Sequence, residues 1–205
     1  MSDLTVVYYT SNRENESFEA RVRKRLALHA GDCPIISVSQ KPVELGTNIC
    51  VGDIGLSTRN AFWQLMTGCE AAKTKYVCTA ESDFLYPPEF FLFRPPGPGL
   101  YFASHMYVLF AHNRRKSSFR PKSHAEGAMI AERDYAIYRI RKFLEAQDPL
   151  ADTTYLKFHT EIPLVTFKTG RGLSLKCPHS EVRARRLGAL PFWGSAKNLR
   201  REYRT

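Results

Sequence analysis

Residues 55–91, GLSTRNAFWQLMTGCEAAKTKYVCTAESDFLYPPEFF, decide the fold. Phe62, Leu65, Met66, Cys69 and Ala72 recur at helical spacing. Ser57 or Thr58 can cap the start of that helix. Lys75 to Ala80 is a short run rich in β-formers and poor in charge, as expected of a strand buried on both faces. Glu81, Ser82 and Asp83 follow at once, then Pro87 and Pro88. Two carboxylates at the carboxyl end of a buried strand are costly unless a positive charge meets them. Carboxylates suit hard divalent cations such as Mg²⁺ and Mn²⁺.

The flanking sequence extends this unit into an alternating one. Leu4 to Tyr9 reads as a first strand, with Thr10, Ser11 and Asn12 as a polar turn. Glu14 to His29 reads as a helix with Phe18, Val22 and Leu26 on one face. Pro34 to Val38 reads as a second strand and Ser39 to Gly52 as a loop. A β-α-β-α-β order implies a parallel sheet with right-handed crossovers. Ligands of such sheets sit beyond the carboxyl ends of the strands. Tyr9 to Ser11, Ser39 to Lys41 and Glu81 to Asp83 all fall there. Further on, Pro87 to Phe93 reads as a short helix and Leu100 to Phe110 as one or two strands. Ala111 to His124 reads as a basic loop, Gly127 to Ala146 as a long helix and Ile162 to Phe167 as a last strand. Residues 1–175 are expected to form one domain, and 176–205 a basic tail on or near it.

The ordered set Gly55, Arg59, Asn60, Gly68, Tyr76, Glu81, Asp83, Pro87, Pro88 and Glu89 resembles the core of the GT-A glycosyltransferases, family 2-like. In that family a helix with a G…RN pattern precedes a strand ending in D-x-D and then a double proline. This chain departs at Glu81, where the family more often has Asp. The resemblance implies a GT-A-like, Rossmann-type α/β fold: a mostly parallel sheet flanked by helices, here with a basic C-terminal extension. It implies a nucleotide-sugar donor, a UDP-sugar by preference, with Mn²⁺ or Mg²⁺ bound by Glu81 and Asp83. Tyr9, Thr10, Ser11 and Ser82 match donor-binding positions, and Gln40 lies where the second strand end contacts the base. Arg59 and Asn60 are expected to face the donor, in a helix first turn that favours anions.

An inverting transfer needs a base to take the acceptor's proton. The family places a carboxylate at the start of the helix after the middle strands. Here that region reads SHAEGAMIAERD, which makes Glu126 the first candidate and Asp134 the second, with His124 beside them. His179 is the candidate for a further metal ligand. Trp193 and Gly194 resemble a terminal W-G element of small phage-type enzymes, with simple packing of the tail as the plainer role.

The formal net charge of +10 implies a polyanionic partner, nucleic acid or an anionic membrane surface. Arg114, Arg115, Lys116, Arg120 and Lys122 form one basic cluster, and Arg183, Arg185 and Arg186 another. Small basic enzymes of this kind resemble phage glycosyltransferases that modify hydroxymethylated pyrimidines in DNA. That makes DNA the expected acceptor, contacted through those clusters, with the target base flipped out. One rival reading is a transferase for a lipid-linked or cell-surface glycan. The other is a non-catalytic nucleic-acid-binding protein, against which Glu81 and Asp83 count. No apolar run reaches the ~18 residues of a membrane span. The five cysteines show no C-x-x-C spacing, and the N-terminus lacks a basic region before its apolar run. The expected location is therefore cytoplasmic, the host cytoplasm for a phage protein.

Overall fold

The computed structural model describes residues 2–111, 117–123, 125–146, 155–168 and 186–203. The chain opens with strand β1 (Leu4–Thr10), buried along its whole length. Helix α1 (Glu16–Ala30) starts at Asn15, whose Oδ1 accepts from the Ser17 N–H at 2.9 Å. Strands β2 (Ile35–Ser39) and β3 (Thr47–Cys50) follow. The second of these falls inside the expected loop. It is a short edge strand with both ends exposed, so it carries little apolar signal.

Helix α2 (Thr58–Ala71) is capped by Ser57, whose Oγ accepts from the Asn60 N–H at 3.0 Å. Gly68 lets this helix lie on the sheet. A methyl group there would sit 2.3 Å from Cγ1 of Val7, far inside contact distance. Then come β4 (Tyr76–Glu81), β5 (Phe84–Leu85), a 3-10 turn at Pro88–Leu92, β6 (Leu100–Ala103), β7 (Met106–Ala111) and β8 (Ser117–Lys122). A 3-10 turn at Glu126–Ala128 leads into β9 (Met129–Glu132) and α3 (Arg133–Glu145). The described chain continues with β10 (Tyr155–Phe158), β11 (Leu164–Phe167), β12 (Ala189–Leu190), β13 (Gly194–Ser195) and α4 (Ala196–Tyr203).

Seven strands make the main sheet, in the order β10-β6-β9-β4-β1-β2-β3, with β9 antiparallel to its neighbours. Its two faces are covered differently. Val7, Val38, Met129 and Ala131 pack under Leu65 and Cys69 of α2 and Ala136 and Ile140 of α3. Leu4, Val6, Tyr8, Cys78 and Ile130 pack on the other side with Tyr86 and Phe90. The second sheet, β5-β11-β7-β8, adjoins a third cluster. In that cluster Phe18, Phe119 and Phe167 meet Leu190, Trp193, Leu199 and Tyr203. Residues 186–203 of the basic tail are thus packed on α1 and β8, and Trp193 is a packing residue whose Nε1 donates to Pro163 O at 2.6 Å.

Two expected elements need correction. The long helix from Gly127 begins only at Arg133, because Met129 and Ala131 face one core cluster while Ile130 faces the other. That alternation is strand geometry. The expected basic loop contains β8, in which Ser118, Phe119 and Arg120 are all buried.

Candidate active site

β1 and β4 are parallel neighbours, and Tyr9, the penultimate residue of β1, lies opposite Glu81, the last residue of β4. Both side chains lie on one face at the carboxyl end of the sheet. The Tyr9 hydroxyl donates to Oε1 of Glu81. The Glu81 N–H donates to Oη of Tyr86 at 2.9 Å, and that hydroxyl donates onward to Gly127 O at 2.5 Å. The 3-10 turn at Glu126–Ala128 is therefore stitched to the end of β4. Thr79 adds a second stitch: its Oγ1 donates to Glu126 O at 2.8 Å and accepts from the Met129 N–H at 2.9 Å.

The result is a concentration of negative charge. Burial is the main cause that holds the Glu81 carboxyl above its usual range, and Glu126 adds to it while Tyr9 and Lys122 oppose it. Asp83 is pushed up to about 8, first by burial, then by Glu81, with Glu14 adding and Lys122 opposing. Lys122, expected to bind DNA phosphates, instead sets its charge against this acidic pair and its Nζ lies 5.4 Å from the Phe84 ring centre.

Beside the pair lies a cleft of about 180 Å³ lined by the three strand ends and the loop before α2. Tyr9, Thr10, Ser11, Gln40, Asn60, Glu81, Ser82 and Asp83 all line it, as do Glu14 and Gln64. Thr10 is occupied by scaffolding. Its hydroxyl donates to the buried Glu19 at 3.0 Å and accepts from the Asn12 N–H at 2.9 Å. Asn12 in turn accepts from the N–H groups of Gln40 and Lys41, each at 2.9 Å. Gln40 is 5% exposed; its Nε2 donates to Gly55 O at 2.8 Å and its buried Oε1 has no partner among the described residues. An acceptor in that position is available to a ligand N–H. Gln64 donates to Thr10 O and Val38 O at 2.9 and 3.0 Å, and so clamps the ends of β1 and β2 where they part. Sequence reasoning missed Gln64. The available signal was a glutamine on a helix face otherwise occupied by Ala61, Leu65 and Gly68.

Two expected roles, those of Asp134 and Arg120, fail on placement. Asp134 pairs with Arg133 at 2.8 Å, and the Arg133 N–H binds Lys75 O at the amino end of β4. At about 3.3 Å per residue this is roughly 20 Å from Glu81, too far for a catalytic base at that centre. The cause is β9, which carries the chain back across the sheet between Glu126 and Asp134. Arg59 does not line the strand-end cleft; it lines a separate groove between α2 and α3. Arg120 is 2% exposed in β8, with its guanidinium 5.0 Å from the Phe110 ring centre, and cannot reach a phosphate. Arg186 is exposed. His124, His179, Arg114, Arg115, Lys116, Arg183 and Arg185 lie outside the described residues.

The mostly parallel sheet, the helices on it and the acidic strand end define a GT-A-like fold. Two solved structures share it. One is the mannosyltransferase PcManGT from Pyrobaculum calidifontis in complex with GDP-Man and Mn²⁺. Its TM-score is 0.52 and its identity 11%, over 83% of this chain and 58% of that one. The other is HddC from Yersinia pseudotuberculosis, with a TM-score of 0.50 and 12% identity over 79% of this chain and 92% of that one. No family model and no curated protein sequence matches the chain.

Proposed function

We propose that this protein is a metal-dependent glycosyltransferase that moves a sugar from a nucleotide-sugar to a hydroxyl acceptor. The observation that carries the reading is the pair Glu81 and Asp83 at the end of β4, opening on the cleft that Tyr9, Gln40 and Gln64 line. The shared fold supports it, since PcManGT is a mannosyltransferase with GDP-Man and Mn²⁺ bound.

The donor set fits a hard divalent cation. Asp83, whose proton affinity is raised by burial and by the neighbouring Glu81, is relieved by such an ion. No group of three or more His, Cys, Asp or Glu residues able to hold a metal occurs among the described residues. Coordination by one or two carboxylates plus substrate phosphate oxygens is the usual Mg²⁺ arrangement. Glu81 and Asp83 are the residues that would hold it. When bound, Mn²⁺ or Mg²⁺ supplies a Lewis acid that neutralises charge growing on the leaving diphosphate.

The other residues orient and exchange a proton. Tyr9 fixes Oε1 of Glu81 by its hydrogen bond. Gln40 offers its buried Oε1 to a base N–H. Glu126 is exposed on a turn pinned to β4, close enough to act electrostatically on Glu81. Its carboxylate takes the proton from the acceptor hydroxyl as that oxygen attacks the sugar. The preferred donor is a UDP-sugar. The preferred acceptor is a hydroxymethylated pyrimidine in DNA, favoured by the net charge of +10.

The test is mass spectrometry of duplex DNA containing hydroxymethylcytosine, incubated with Mn²⁺ and a panel of nucleotide sugars. A mass gain of one sugar supports the full reading. Donor hydrolysis without DNA modification retains the transferase and rejects the acceptor. Neither event with any donor rejects both.

A further inference from the structure

The groove between α2 and α3 has no part in the chemistry above. It is an open, shallow groove of about 600 Å³, and Arg59, Trp63, Met66, Arg141, Leu144 and Glu145 line it. Trp63 is 40% exposed and lies off the apolar stripe of α2, whose Leu65 and Cys69 are buried against the sheet. Arg59 is exposed and makes no hydrogen bond or ion pair with the described residues. The carboxylates here are matched: Glu145, which lines the groove, pairs with Lys142 at 3.6 Å, and Glu70 beside it pairs with Arg141 at 3.2 Å. The helices are held at this end by the stacked rings of Phe62 and Phe143, 4.0 Å apart, so the groove walls are fixed. Asn60 lines both this groove and the strand-end cleft. The two openings are neighbours at the same end of the molecule.

We propose that this groove seats one nucleotide of a single-stranded nucleic-acid segment, its base on the Trp63 indole and its phosphates at Arg59 and Arg141. An indole flanked by guanidinium groups is the usual platform for a base, and it tolerates sequence because every base has a π-face. Charge complementarity with a protein of net charge +10 selects a polyanion over a neutral glycan. The inference deepens the DNA acceptor reading and rests on it for its purpose: a strand held here keeps a displaced base beside the donor cleft.

Binding can be read without turnover. The chain has two tryptophans, and the other, Trp193, is 6% exposed. Short oligothymidylate titrated into the intact protein should quench fluorescence saturably, and Trp63→Phe should lose that quench. Trp63→Ala should weaken oligonucleotide binding about 5- to 150-fold, the range for one stacked base. Arg59→Glu should weaken it further and make its salt slope shallower by about one or more. Quenching without DNA glycosylation supports the groove and rejects the acceptor reading. An unchanged affinity in Trp63→Ala overturns the inference. So does quenching by phosphatidylglycerol vesicles but not by oligothymidylate.

Discussion

The Tyr9 hydroxyl donates a hydrogen bond to the Glu81 carboxylate across adjacent parallel strands, in register at the end of the sheet. A tyrosine expected at the donor site is thereby bound to the acidic motif. The bond favours the ionised carboxylate, against a burial effect that disfavours it. Tyr9→Phe should therefore weaken Mn²⁺ binding by about tenfold or more, since hydrogen bonds to charged groups contribute about 1.5–3 kcal/mol. A Mn²⁺ titration followed by calorimetry checks it; the same affinity as wild type would show the bond to be incidental.

Acid pairs of this kind leave a pH signature in the metal-free protein. The Asp83 pKa is raised to about 8 in the folded chain, above its ordinary value near 3.9. A raised folded pKa means stability that is fully present below the unfolded pKa and is lost as pH climbs through the folded one. Without metal, thermal stability should fall between roughly pH 4 and 8. Asp83→Asn should flatten that fall, and saturating Mn²⁺ should reverse it. The check is melting temperature against pH in chelator for both proteins.

Much of the first half was legible because β1, β2 and β4 are apolar runs bounded by polar turns. Their order alone brought Tyr9, Gln40 and Glu81 to one edge. The second half was harder for identifiable reasons. The run Ala128-Met129-Ile130-Ala131 satisfies helical and strand spacing alike, so β9 was hidden and Asp134 was carried to the wrong end. In β8, Arg120 and Lys122 made a strand look like a solvated loop. Gln64 was invisible because its partners are backbone carbonyls of two distant strands.

Glu126 and Asp134 now separate cleanly. Glu126→Gln should lower transfer about 10²- to 10⁴-fold, the ordinary weight of a general base, with donor affinity held. Asp134→Ala should leave both unchanged, because its carboxylate is 84% exposed at the far end of β4. Steady-state kinetics with separate kcat and KM decide it. Equal losses in the two variants would return the base to the unassigned residues.

Gly127 offers a test of how closely the turn must approach. A Cβ at this position would stand 2.5 Å from Cδ and Oε2 of Glu81. Gly127→Ala should push the tethered carboxylate aside and lower metal affinity, while the melting temperature stays near wild type because only a side-chain end is displaced. Normal metal binding in Gly127→Ala would show that the turn yields instead.

The most direct measurement is calorimetric titration of a nucleoside diphosphate, UDP first and GDP second, with and without Mn²⁺, into wild type and Asp83→Ala. Tight binding is expected only when metal and Asp83 are both present, with Asp83→Ala folded but insensitive to Mn²⁺. Equal diphosphate affinity in chelator, or an Asp83→Ala protein that still responds to Mn²⁺, would contradict it.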